Sequence, residues 1–307
     1  MAISKKSVIV IVLILIALAV GLFAAANFLK SKPPPAPIPS GPIALLPVHK
    51  VIGTSVEGRD IEAYTYGIGD KHIVFVGGIH GGYEWNSVLL VYQFMDYLAR
   101  PENAAVIPSN LIVSVIPSAN PDGVYKVIGK NGRFALADVP KISREATAPG
   151  RFNAHGVDLN RNFDCKWKPE STWQSKIVRA ATAPFSAPEA AAIRNFVLGN
   201  KSAASSASGV SPVSAVIFWH SQANAVYASE CEAGILPATL DIMNVYSKAS
   251  GYTPVKTFDS YAITGDAEGW LASIGIPAIT VELQSHETTE WDRNLAGIKA
   301  ILDYYKK

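Results

Sequence analysis

Four short apolar runs, Ile73–Val76, Leu111–Ile116, Ala215–Trp219 and Ala278–Val281, constrain the fold more than any other feature of this chain. Each is too short for a helix and lacks the polar alternation of a half-wet strand. Runs of this kind are strands covered on both faces, the hallmark of parallel sheets packed between helices. Helix-like stretches separate them, at Asn86–Ala99, Ala187–Leu198, Leu236–Ala249 and Trp291–Tyr305. Ser186, Pro188 and Glu189 give one of these a capping residue, a first-turn proline and a first-turn acid. The pattern predicts an α/β domain of three layers. Residues Val124–Asn153 and Lys166–Pro184 show no periodicity and are expected to be loops framing a cleft, with Lys201–Pro212 a flexible surface loop.

Three of the runs lead to chemically capable side chains. The first passes through glycines to His80, Gly81, Gly82, Tyr83 and Glu84, the third ends in His220, and the fourth in Glu282. In open α/β sheets, ligands gather beyond the carboxyl ends of the strands. A close His/Glu pair with a distant second His is the spacing of a catalytic zinc site, which uses three protein ligands and leaves one position open. His80, Glu84 and His220 are therefore the expected ligands of one zinc ion. Only six histidines occur in the chain, so two at strand ends are informative. His49, His72, His155 and His286 read as surface or hydrogen-bonding residues.

The blocks His80/Glu84-Trp85, Asn120-Pro121-Asp122-Gly123, Arg151, Gly156 to Phe163, His220-Ser221, Tyr261 with Gly265 and Trp270, and Glu282 follow one another in a fixed order. In that order the chain resembles the zinc metallocarboxypeptidase (carboxypeptidase A-like) family from about residue 50 onward. The resemblance implies a mixed, mostly parallel twisted sheet with helices on both faces. It also implies a general base in Glu282, oxyanion support from Arg151, and a clasp for the substrate's terminal carboxylate in Asn160 and Arg161. Tyr261 matches a tyrosine that closes over substrate, and the Ser221–Gln222 peptide bond is expected to be cis. Glu268 falls where the pocket for the departing side chain is tuned, and with Asp266 it favours a basic or diamino leaving group. The family's pair is usually spaced His-x-x-Glu. Here Tyr83 is an extra residue, expected to be absorbed as a local bulge over the two glycines. Glu290 and Arg133 are the nearest rivals to Glu282 and Arg151.

At 307 residues and 49% hydrophobic content the chain can bury a large core. A net charge of +2 with scattered basic residues argues against nucleic acid as a partner. Residues Val8 to about Leu29 form an apolar run after Lys5 and Lys6, followed by a proline-rich stretch from Pro33 to Pro39. These imply a membrane anchor over residues 1–30, a stiff linker over 31–45 and a catalytic domain over 46–307. A signal peptide cut near Ala24-Ala25-Ala26 is the other reading. Either places the domain outside the cytoplasm. Cys165 and Cys231 are expected near the cleft, as a bridge or as two thiols. The function that follows is a monomeric zinc carboxypeptidase acting on peptides with a free C-terminus. A cell-wall stem-peptide (diaminopimelate-type) carboxypeptidase, a zinc deacylase of N-acyl amino acids, and an inactive binding module are the alternatives.

Overall fold

The computed structural model describes residues 46–201 and 212–307, together with Ile16 and Leu18. Pro42–Lys307 forms one compact unit. Its sheet has eight strands: β1 (Val48–Thr54), β2 (Asp60–Gly67), β3 (Lys71–Val76), β4 (Leu111–Ile116), β5 (Val213–Ser221), β6 (Ala225–Ala228), β7 (Thr253–Val255) and β8 (Ala278–Leu283). The spatial order is β1-β2-β4-β3-β5-β8-β6-β7. The centre, β4-β3-β5-β8, is parallel throughout. Antiparallel pairs occur between β1 and β2, β2 and β4, and β8 and β6. The mixed, mostly parallel sheet is thus the expected one, and all four apolar runs lie at its centre.

Period-two alternation assigns each strand residue to a face. On one side Phe75, Ile217, Trp219, Val281 and Leu283 pack with helices α1 (Trp85–Leu98), α4 (Pro237–Ser250) and α6 (Trp291–Tyr305). On the other, Val74, Val216, Phe218 and Ala278 pack with α3 (Pro188–Lys201) and α5 (Ala267–Ser273). A further helix, α2 (Pro121–Ile128), follows β4. It lies partly in a stretch expected to be loop. Asn120 caps its first turn by accepting from the Gly123 N–H, and Gly129 closes it at φ 74°.

Beneath the sheet, a buried chain of hydrogen bonds joins β5 to the C-terminal helix. Trp219 Nε1 donates to Tyr246 Oη, which donates to Asn294 Oδ1, while Asn294 Nδ2 donates to Tyr252 Oη. Tyr252 in turn donates to Glu290 at 2.6 Å. Cys165 and Cys231 are joined in a disulfide, the kind of cross-link that persists in oxidising compartments.

The expected membrane anchor is corrected. A helix needs about 20 apolar residues to cross a bilayer, and among the described residues no helix is long and apolar enough to do so. The longest α-helix there, Trp291–Tyr305, has 15 residues. Apart from Ile16 and Leu18, the segments that carried the anchor and linker readings lie outside the described residues, as do 202–211 of the expected surface loop.

Candidate active site

His220 and Glu282 are side by side. β5 and β8 are parallel neighbours whose register pairs Glu282 with His220 and Thr280 with Phe218. Both side chains fall on the same face of the sheet at its carboxyl end. His80 arrives from β3, the strand on the other side of β5, four residues past the last strand residue. The sheet therefore supplies three chemical groups from three adjacent parallel strands.

Glu84 is brought in by a tight turn. Gly81–Glu84 is a single 3₁₀ turn that runs directly into α1, so the extra residue is absorbed as a helical turn instead of a bulge. Two glycines make this turn possible. Gly81 has φ 45°, and a Cβ on Gly82 would lie 2.6 Å from both the Gly123 carbonyl oxygen and Val127 Cβ. A Gly82→Ala chain is expected to lose about 1–3 kcal/mol of stability through overpacking and to bind metal more weakly, because the same turn carries Glu84. Thermal melting and zinc titration check this, and wild-type values in both would refute it.

Three donor atoms converge. His80 Nδ1 lies 2.8 Å from Glu84 Oε1, His220 Nδ1 3.0 Å from Glu84 Oε2, and the two Nδ1 atoms are 3.1 Å apart. All three residues are buried. Two imidazole nitrogens and a carboxylate crowded at this distance present lone pairs to one point, an arrangement that a shared proton or a cation must relieve. Two neutral nitrogens and one carboxylate oxygen are the donor set zinc prefers, so the residues fit the ion. Burial disfavours ionisation of Glu84, but His80 and His220, when they carry a proton, outweigh it through charge and hydrogen bonding and hold the carboxyl well below its ordinary range.

A cleft of about 780 Å³ opens over this cluster, and every site residue singled out from the sequence lines it: His80, Glu84, Arg151, Asn160, Arg161, His220, Tyr261, Glu268 and Glu282. Glu282 Oε2 is buried without a hydrogen-bond partner among the described residues. Burial first, and the negative charge of Glu84 second, push its carboxyl up to about 8.

Arg151 is fixed by Asp158, which accepts from Nε at 3.0 Å and lies 2.8 Å from Nη2. Burial raises the pKa of Asp158, yet the guanidinium groups of Arg151 and Arg161 hold it well below the ordinary range. Arg161 is anchored through backbone carbonyls, donating from Nε and Nη2 to Thr172 and from Nη1 to Asn160. Asn160 Oδ1 accepts from the Ala267 N–H at the start of α5. Tyr261 is partly buried and packs edge-on against Phe258 at 4.8 Å.

The rivals are elsewhere. Glu290 sits at the start of α6, accepting from the Gln284 and Ser285 N–H groups with Oε1. Arg133 is exposed, pairs with Asp96 and lies over the Tyr92 ring. His286 makes a hydrogen bond to Ser221 Oγ and His72 one to Ser114 Oγ. The Ser221–Gln222 peptide bond is cis, as expected.

Some functional neighbours escaped sequence reasoning. Tyr83, the extra residue, meets Trp173 edge-on at 5.2 Å and carries the Arg144 guanidinium 4.4 Å above its ring. Trp173 in turn lies 4.5 Å beneath Arg151. These contacts join distant segments, and no local pattern announces them.

The family model described as zinc carboxypeptidase matches residues 47–295. Among curated proteins, the chain is 27% identical over 251 residues to gamma-D-glutamyl-L-diamino acid endopeptidase 1 of Lysinibacillus sphaericus, covering 76% of this chain and 60% of that protein. It spans 60% or less of the length of the first curated relatives it matches. Among solved structures, murein-tripeptide amidase MpaA from Escherichia coli O157 superposes with a TM-score of 0.56 at 18% identity, over 88% of this chain and 96% of that one. Thrombin activatable fibrinolysis inhibitor gives 0.63 at 18% identity, over 85% and 69%. Likeness at this identity shows a shared fold.

Proposed function

This chain belongs to the zinc carboxypeptidase family, and from that membership we propose that it hydrolyses the C-terminal peptide bond of peptides. The observation that carries the proposal is one cleft in which the His80/Glu84/His220 cluster meets a fixed Arg161 and a Glu282 whose Oε2 has no hydrogen-bond partner among the described residues. His80, Glu84 and His220 would hold the ion. When bound, zinc supplies Lewis acidity, which eases the ionisation of water and polarises a carbonyl. Glu282 takes the proton from the attacking water and delivers it to the departing amine. Arg151, held in place by Asp158, faces the charge that develops on the carbonyl oxygen. Arg161, whose planar fork suits a carboxylate, reads the substrate's C-terminus together with Asn160. Tyr261 closes over the bound residue.

The test is hydrolysis of peptides ending in Lys, Phe and diaminopimelate, before and after chelation. Release of the last residue, abolished by chelator and restored by zinc, is expected. No release from any of the three by zinc-loaded protein would overturn the proposal.

A second reading is favoured by the acids in the cleft. Asp266 and Glu268 both line it, and burial, with the Glu268 charge behind it, pushes Asp266 up to about 6. Acids so placed welcome a cationic group on the leaving residue, the ammonium of Lys or a diamino acid or the guanidinium of Arg. This supports a stem-peptide substrate, and the endopeptidase above is named for a gamma-D-glutamyl-L-diamino acid. Peptides ending in Lys or Arg are expected to be cleaved faster than their Phe counterpart, by about 2–4 kcal/mol of discrimination. Glu268→Ile should reverse the order. Equal kcat/KM for Lys and Phe peptides, unmoved by that substitution, would remove the acids from specificity.

A further inference from the structure

The ring nitrogens that face away from the donor cluster, His80 Nε2 and His220 Nε2, are both buried and lack a hydrogen-bond partner among the described residues. A neutral imidazole that offers Nδ1 as a lone pair carries its proton on Nε2, and a buried N–H without an acceptor is costly. Each of these nitrogens faces one carboxylate. Asp158 Oδ1 is 3.4 Å from His80 Nε2, and Glu268 Oε1 is 3.6 Å from His220 Nε2. Asp158 is already tied to Arg151. Glu268 has no such explanation, since a charge that only served the leaving residue would not need to lie against a ligand.

Its placement is constructed from three sides. Asp266 caps α5 by accepting from the Gly269 N–H, so Glu268 stands in the first turn of a helix packed on the same sheet face as His220. Thr280 Oγ1 donates to Glu268 Oε1 at 2.8 Å, and this is the oxygen that faces His220. Thr280 itself precedes Glu282 by two residues on β8, the strand paired with His220. The Glu268 side chain is 5% exposed. At 3.6 Å the contact is longer than a hydrogen bond, and a shift of about half an ångström makes it one.

We propose that Glu268 is a positioning residue for His220: through Oε1 it accepts the Nε2 proton, fixing tautomer and ring orientation so that Nδ1 stays aimed at the cluster. Its other oxygen, with Asp266, is left to the pocket. Outer carboxylates of this kind typically change metal affinity by roughly 10–100-fold. The inference rests on the zinc reading of the cluster and is independent of which peptide is cleaved.

The experiment measures the zinc dissociation constant of the whole chain by competition with a chromogenic chelator. Glu268→Leu is expected to weaken zinc by roughly 10–100-fold. Glu268→Gln, whose amide oxygen can still accept from His220, should recover most of that loss. Thr280→Val, which frees Oε1 without altering charge, should weaken zinc by a smaller factor. Wild-type affinity in both Glu268→Leu and Thr280→Val overturns the proposal. If Glu268→Leu does not fold, Thr280→Val decides alone, and an unchanged constant there overturns it. Zinc affinity that responds to these substitutions in a chain that cleaves no peptide refutes the carboxypeptidase reading only. Peptidase activity with affinity indifferent to residue 268 refutes this inference only.

Discussion

A Glu282→Gln chain is expected to keep its zinc and lose turnover by about 10² to 10⁴-fold. The amide preserves the shape of the side chain and removes its capacity to accept a proton. Glu282 is suited to that task because its Oε2 is buried and unpartnered, and because burial together with the charge of Glu84 makes the carboxylate more basic than usual. A cation held by the neighbouring cluster would draw that value back down, so the proposed base stands between two opposing influences. The check is kcat at saturating zinc, with metal content by elemental analysis on the same samples. A near-native rate would move the base to another residue. Glu290 would not inherit the role, since its Oε1 holds the turn at Gln284 and Ser285 and its Oε2 accepts from Tyr252 Oη.

Replacing His220 with Ala is expected to abolish stoichiometric zinc binding. His220 supplies one of three converging donors. Its loss leaves a buried carboxylate and one imidazole, too few for a catalytic zinc site. Affinity should fall by more than the roughly 10–100-fold that follows loss of an outer partner. Because the residue is 1% exposed, the truncation also leaves a cavity, so folding is verified by circular dichroism before metal is measured. One zinc per folded His220→Ala chain would refute the ligand assignment.

The sheet's centre was legible because strands buried on both faces must be apolar throughout, and Ile73–Val76 or Ala278–Val281 can hardly be anything else. The margins were not. β1 is largely exposed and mixes Val48 and Val51 with His49 and Lys50, so no face dominates its sequence. β2 does alternate, with Ile61 and Ala63 buried between polar neighbours, a signal that could have been used. The same holds for α2, whose Asn120-Pro121 start and Gly129 stop are written in the chain. In the site, the side chains gathered in the cleft were readable because His and Glu just beyond apolar strands stand out in the chain. Their neighbours were not: Asp158 beside His80 and Trp173 beneath Arg151 come from other segments, and Thr280 reaches Glu268 from the following strand. The bridge between Cys165 and Cys231 was similarly open, because two cysteines near one cleft do not declare their oxidation state.

The pairing of Glu282 with His220 across β5 and β8 makes the spacing between the proposed base and the proposed metal ligand a property of the backbone lattice. Neighbouring strands stand about 4.7–4.9 Å apart. Slipping one strand by a single residue would turn its side chain to the opposite face. A slip of two would restore the face but displace the group by about 6.6 Å. No intermediate adjustment exists along the strand. A lineage that needed the Glu282 carboxylate nearer to or farther from His220 would have only side-chain length to vary, Glu against Asp, with the strands themselves locked in step.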